Sequence, residues 1–399
     1  MKKITVLGAT GSIGQSTLRA LSLMRDRYEV FALTAHAQID KLFEQCLSFR
    51  PVFAVAGNEA DARRLQARLS DAGLATRALS GPESLIAVAG DERVESVMCA
   101  IVGAAGLPPA WEAAGKGKTV LLANKETLVM AGGLFMRRAQ DRHARVLPVD
   151  SEHNAIFQAL PGDKTVSNPQ NGVASIIITA SGGPFWRWDA KKIADATPQQ
   201  AVNHPNWKMG RKISVDSATM MNKALEVIEA RWLFDAPPER IEALVHPQSV
   251  IHGMVRFVDG SIRAQLAAPD MRSPIAHVLT YPERFAIDLP AVDFATLAKM
   301  EFFAPDPVRF PALNLAYETL AATGEGWTCV LNAANEIAVS EFLRGRLRFG
   351  DIYAVVRDAL DRFEPAQELA DAQSVLELDQ KARSLAQDLC AKRRGAPGR

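Results

Sequence analysis

The sequence predicts an α/β protein with a Rossmann-type N-terminal domain, an α+β middle domain and a C-terminal helical bundle. Three observations carry this. Short apolar runs alternate with helix-length stretches through about the first 150 residues, as in a doubly wound parallel sheet. A Gly-x-x-Gly-x-x-Gly turn links the first such run to the first helical stretch. After Ser151 the alternation gives way to hairpin-like strands and then, past a proline-rich stretch, to helix alone.

Taken in order, Ile4 to Leu7 is an apolar strand, Gln15 to Met24 a helix and Tyr28 to Leu33 a second strand, together a βαβ unit. Further strands are expected at Val52 to Ala56, Val97 to Val102, Thr119 to Leu122 and Val146 to Val149, with helices at Glu59 to Ala72 and Glu83 to Val88. The middle domain, 150–285, has strands at Ala174 to Thr179, Ala243 to His246, Ser249 to Arg256 and Ser261 to Gln265. Its segment 181–211 is long and aromatic for a connector, which suits a closing flap. Pro290, Pro305, Pro307 and Pro311 mark 286–311 as an extended linker. Helices are expected at 313–322, 330–346, 350–363 and 374–392, forming the bundle 312–399, with Ala391 to Arg399 as a frayed basic tail.

At 399 residues, the chain has room for two or three domains of about 150 residues each. With 48% hydrophobic and 23% charged residues, it can bury cores and is not a disordered chain. Lys plus Arg number 46 against 45 Asp plus Glu, so no global field would draw a polyanion and nucleic acid is not expected as a partner. Cys46, Cys99, Cys329 and Cys390 are far apart, which argues against a zinc knuckle or disulfide framework and for a reducing compartment. Gly8, Gly11 and Gly14 interrupt the first apolar run, unlike a signal peptide, and no run approaches about 18 apolar residues. A cytoplasmic protein without membrane contact is the expectation.

Several residue groups can carry chemistry. Gly8 to Gly14 permits a tight bend that brings backbone N–H groups at a helix N-terminus to a pyrophosphate; the bland alternative is a structural turn. About 20 residues on, where an NAD site places a carboxylate, stands Thr34-Ala35-His36-Ala37-Gln38. The missing acid favours NADP, although no Arg or Lys is present to clamp its phosphate. Asp150 and Glu152 follow a strand end and share one side if the backbone stays extended; alternatively, Asp150 and Ser151 cap a helix His153 to Leu160.

Asn222, Lys223 and Glu226 fall on one helix face at i,i+4 and i,i+3 spacing, either as functional groups or as a surface ion pair. The carboxylates Asp150, Glu152 and Glu226 could converge on one hard divalent cation, Mg²⁺ or Mn²⁺. Ser181-Gly182-Gly183 suits a phosphate ester, or else simply starts a loop. His204 with Trp207 could contact phosphate and exclude water, and Lys125 follows another strand end; solvated or structural roles are the alternatives.

Together the segments GATGSIG (8–14), AIVGAAGL (100–107), LLANKE (121–126), PVDSEHNAIFQ (148–158), SGGPF (181–185), HPNW (204–207), GRKISVDSATMMNKALE (210–226), HPQSVIH (246–252), PDMRSPIAH (269–277) and LNAANE (331–336) resemble the 1-deoxy-D-xylulose 5-phosphate reductoisomerase family. The resemblance implies a homodimer that uses NADPH and Mg²⁺ or Mn²⁺ on a small phosphorylated ketose in non-mevalonate isoprenoid synthesis, with 150–285 as its catalytic and dimerisation domain. It implies Asp150, Glu152 and Glu226 as metal ligands, and Lys125 and Glu152 as catalytic groups. Lys125 and Ser151 would touch the substrate backbone. Ser181, Ser217, Asn222 and Lys223 would hold its phosphate with His204 nearby, and His153 and Trp207 would line the site. Cofactor contacts would come from Thr10, Gly11, Ser12, Ile13, His36, Gln38, Ala100, Ile101, Asn124, Glu126 and Gly210. Family members commonly have a basic residue or asparagine shortly after the second strand, where this chain has His36-Ala37-Gln38.

Two rival readings remain at this level. A simple NADP-dependent dehydrogenase would need no metal and would leave Asp150, Glu152 and Glu226 without a role. A non-catalytic dinucleotide sensor would bind nucleotide without turnover and would not explain the polar cluster around Lys223.

Overall fold

The computed structural model describes residues 1–207, 209–364 and 368–394, which form two compact units. The first comprises Met1–Thr127, Phe135–Asn154 and Asp270–Leu289. Its sheet has seven parallel strands: β1 (Lys2–Leu7), β2 (Tyr28–Thr34), β3 (Phe53–Ala56), β4 (Arg77–Ser80), β5 (Ser96–Cys99), β6 (Thr119–Leu122) and β7 (Arg145–Pro148). Their order is β4-β3-β2-β1-β5-β6-β7, so the winding reverses between β1 and β5. Beyond the carboxyl ends of such a pair, open α/β sheets leave a ligand crevice. Ile4, Val6 and Leu7 of β1 have no exposed surface, as expected for a strand covered on both faces.

The Rossmann-type expectation therefore holds, with two differences. β4 is absent from the sequence reading because a four-residue edge strand with Leu79 as its one large apolar residue has no detectable alternation. The second difference is the return of 270–289 to this unit, although linear spacing puts most of it in the middle domain. The helix Arg272–Thr280 packs beside Ser12–Ser22, and Tyr28 Oη donates to Leu279 O at 2.5 Å.

The second unit comprises Leu128–Leu134, Ala155–Pro269 and Pro290–Arg399. Its four strands β8 (Val173–Ala180), β9 (Ile241–Val245), β10 (Ile251–Phe257) and β11 (Ile262–Leu266) are ordered β11-β10-β8-β9. β10 runs antiparallel to both neighbours, while β8 and β9 are parallel, the mixed pattern of an α+β domain. Helix Ala312–Ala321 packs on Met221–Leu233, and helices Trp327–Leu343, Phe349–Arg362 and Ala372–Arg394 pack on one another, so the C-terminal bundle is continuous with this unit.

Two expectations change here. Much of the 286–311 linker is folded: Phe294–Leu297 is a short helix, and Phe303 pairs with Val245 at the end of β9. The basic tail is helical through Arg394 because Arg393 bonds Asp358 at 2.8 Å and Arg394 pairs with Glu341; residues 395–399 lie outside those described. Among the described residues, no helix is long and apolar enough to cross a membrane.

Candidate active site

In the first unit, the glycine turn is dictated by contact. Gly8 has φ +75°, and a Cβ there would lie 2.5 Å from Ala100 O; one on Gly14 would lie 2.3 Å from Gly8 O. The turn thus lies against the start of the Ala100–Gly103 loop, and helix Ser12–Ser22 starts without a side-chain cap. Gly11 and Ser12 are exposed, Ile13 is half-buried and Thr10 is buried. His36, Ala37 and Gln38 are exposed at the end of β2, and no carboxylate replaces them. Asn124 is buried and caps helix Lys125–Asp141. Its amide donates to Ile101 O at 2.6 Å, Gly103 O at 3.2 Å and Glu126 Oε2 at 2.9 Å, while its oxygen accepts Thr127 N at 3.0 Å. Asn124 therefore shapes the Ala100–Gly103 loop, a task its spacing did not reveal.

At the carboxyl end of β7, helix Ser151–Ala159 begins at once, so the extended-backbone argument for Asp150 and Glu152 fails. The helical turn still groups them, with carboxylate oxygens within 4.8 Å of each other. Lys125 Nζ lies 2.5 Å from Asp150 Oδ2, and both side chains are largely buried. His153 Nδ1 is 3.7 Å from Asp150 Oδ1, and Ser151 Oγ donates to Glu152 Oε2 at 2.6 Å. Burial pushes the Asp150 carboxyl up, but the Lys125 ammonium and the His153 contact outweigh it and hold it well below the ordinary carboxylate range.

The second unit carries Ser181, His204, Ser217, Asn222, Lys223 and Glu226, with Ser181 paired to His204 and both Asn222 and Lys223 paired to Glu226. Asn222, Lys223 and Glu226 do share one helix, and Met220 in a left-handed conformation (φ 62°) divides Arg211–Ala218, which carries Ser217, from Met221–Leu233. Asn222 and Lys223 both donate to the Glu226 carboxylate, and Lys223 also donates to Thr179 O at 2.5 Å. Lys223 and Glu226 are 3% and 1% exposed, so the surface-pair alternative is excluded.

Ser181 Oγ lies 2.8 Å from His204 Nε2. His204 Nδ1 accepts the Asn206 and Trp207 amides at 3.1 and 2.9 Å, which assigns the proton to Nε2 and makes the ring a donor to Ser181. Burial lowers its pKa to about 4. Gly183 must lack a side chain, since a Cβ would lie 2.6 Å from Ser217 O. The Trp207 ring meets His252 edge-on at 6.0 Å, and Gly210 opens the helix Arg211–Ala218.

Residues 4–132 match the sequence pattern of 1-deoxy-D-xylulose 5-phosphate reductoisomerase, 146–234 that of the 1-deoxy-D-xylulose 5-phosphate reductoisomerase C-terminal domain, and 266–385 that of a DXP reductoisomerase C-terminal domain. A 1-deoxy-D-xylulose 5-phosphate reductoisomerase from Nitrosomonas europaea is 53% identical over 98% of this chain and 94% of its own. The chain belongs to the 1-deoxy-D-xylulose 5-phosphate reductoisomerase family.

A reductoisomerase from Laribacter hongkongensis is also 53% identical, over 96% of this chain and 98% of its own. A crystal structure of a DOX-P reductoisomerase in complex with NADPH, fosmidomycin and magnesium superposes with a TM-score of 0.95 at 42% identity, covering all of both chains. The Zymomonas mobilis reductoisomerase in complex with NADPH gives 0.89 at 45%, covering 98% of each. Within the reductoisomerase fold, the sequence reading missed Glu229, 1% exposed on the helix that carries Glu226. A second acid three residues after the first, within an apolar helix, was the available signal. It also missed His277, whose Nδ1 lies 3.1 Å from Asn154 Nδ2.

Proposed function

We propose that the protein rearranges 1-deoxy-D-xylulose 5-phosphate and reduces the product to 2-C-methyl-D-erythritol 4-phosphate with NADPH, in isoprenoid precursor synthesis. The observation that carries this is the buried Lys125–Asp150 pair, with Glu152 and His153 on the following turn, in a chain matched along its length by reductoisomerases. The donors fit the groups such a reaction needs. Asp150, Glu152 and Glu226 are carboxylates whose oxygens would suit one Mg²⁺ or Mn²⁺. The uncapped helix start at Gly11 and Ser12, with the Ala100–Ile101 loop, Asn124 and Glu126 alongside, suits a dinucleotide pyrophosphate. Thr10, Ile13, His36, Gln38 and Gly210 complete the proposed cofactor contacts.

When bound, the cation would supply Lewis acidity and the nicotinamide a hydride. The chain's own groups do the rest. Ser181, Ser217, Asn222 and Lys223, with the His204 N–H nearby, hold the substrate phosphate; Lys125 and Ser151 orient its carbon chain. Lys125 and Glu152 handle the proton that leaves the substrate hydroxyl before the C–C bond breaks and re-forms. The aldehyde so produced takes the hydride and a proton. His153 and Trp207 line the site, and the flap 181–211 excludes water as the remote phosphate binds. We place this enzyme in the cytoplasm as a homodimer.

NADPH oxidation by purified protein with the ketose phosphate and Mg²⁺ tests the reading. Turnover is expected to stop when a chelator strips the metal and to return with Mg²⁺ or Mn²⁺. Undiminished turnover after stripping would overturn the metal role, and equal efficiency with NADH would overturn the cofactor assignment.

A further inference from the structure

The segment Glu301–Phe310 reads as linker in the sequence, yet it makes a dense set of directed contacts within the second unit. Phe303 and Val245 exchange both backbone hydrogen bonds at 2.9 Å. Phe302 stacks on His246 with ring centroids 4.7 Å apart. Asp306 closes a turn by accepting Val308 N at 2.9 Å and Arg309 N at 3.1 Å, and its second oxygen accepts Arg309 Nε at 2.7 Å. The guanidinium so aimed donates from Nη1 to two carbonyls, Trp186 O at 2.8 Å and Trp188 O at 3.0 Å.

Those carbonyls belong to the turn that follows Ser181-Gly182-Gly183. A Cβ on Gly182 would lie 2.7 Å from Trp186 Cβ, so Trp186 bears directly on the glycine pair, and Gly183 N donates to Ser181 Oγ at 3.2 Å. A cavity of about 510 Å³ opens between Gly182, Trp186, Phe303 and Arg309. The rings of the turn are packed, Phe185 on Trp188 at 4.5 Å and on Phe349 at 5.2 Å and Trp186 against Phe303 at 5.4 Å, while Arg309 ties its backbone through the Trp186 and Trp188 carbonyls.

We propose that Arg309 is a positioning residue for substrate phosphate. By fixing the Trp186–Trp188 turn it sets the Ser181–Gly183 turn, and the former linker becomes the frame of the flap's root. This rests on the reading of Ser181 as a phosphate contact. Lysine cannot replace the fork, because one ammonium cannot span Asp306 and both carbonyls.

The test compares wild type with Arg309→Met and Arg309→Lys. For Arg309→Met, KM for 1-deoxy-D-xylulose 5-phosphate is expected to rise about tenfold through loss of two hydrogen bonds, with kcat held within about threefold. KM for NADPH should not move, and Arg309→Lys should give a smaller rise in the same direction, which serves if the methionine variant fails to fold. Amide exchange at 181–188, with and without inorganic phosphate, reads the same link without turnover: faster exchange and weaker protection by phosphate are expected in the variants. Unchanged exchange with unchanged KM, or equal losses towards substrate and NADPH, would overturn the proposal. A wild-type protein inactive on the ketose, yet with Arg309-dependent exchange and phosphate protection, would fault the functional reading and leave the positioning role standing.

Discussion

His204 marks what a residue's type leaves open. As one histidine beside an aromatic, it could be a cation for phosphate, a structural ring or a solvated one. The fold decides: two amides point at Nδ1, Ser181 receives Nε2–H, and burial holds the pKa near 4. An unfolded histidine titrates near 6.5, so as pH falls from 6.5 towards 4 the unfolded chain takes up a proton that the folded ring refuses. The stability contribution is complete above 6.5 and declines below it. Thermal melting of wild type and His204→Asn between pH 7 and pH 5 should show the difference between them shrinking as the medium is acidified; a constant difference would contradict the buried neutral ring. Asp150, Lys223 and Glu226 were legible as candidates by residue type and spacing. The Lys223–Glu226 pair was legible from its i,i+3 spacing, whereas the Lys125–Asp150 pair and the bond from Lys223 to Thr179 O were not, because they join residues far apart in sequence.

At the scale of elements, local chemistry was readable where it is also structural. The glycine turn was visible because contacts within Gly8 to Ala9 and with Ala100 forbid side chains there. Gly14→Ala would place a Cβ 2.3 Å from Gly8 O and 2.5 Å from Ala9 Cα. It should cost about 1–3 kcal/mol in urea unfolding, by overpacking, and weaken NADPH binding in a fluorescence titration. Normal NADPH affinity in that variant would separate the turn from the cofactor. β4 and the break at Met220 escaped prediction for the opposite reason, since an edge strand and a single left-handed residue owe their state to neighbours in space. Within 181–211, Phe185, Ile193 and Ala201 are buried, so that part of the proposed flap is held by apolar packing.

Across the whole molecule, chain order is a poor guide to which parts belong together. Residues 270–289 return to the nucleotide-type sheet and 290–311 fold into the second unit, because apolar faces such as that of Arg272–Thr280 find their partners through space. The parallel N-terminal sheet, the second sheet and the C-terminal helices were legible from periodicity, whereas these returns, and the joining of the second sheet and the helices in one compact unit, were not. What ties the molecule to its proposed reaction is rearrangement, since reduction alone would suit many proteins built on such a sheet. The most direct test is a carbon-13 NMR spectrum of the product formed from labelled 1-deoxy-D-xylulose 5-phosphate with NADPH and Mg²⁺. A branched skeleton carrying a methyl group on a quaternary carbon is expected, whereas a straight-chain alcohol formed at the expense of NADPH would contradict the reductoisomerase reading.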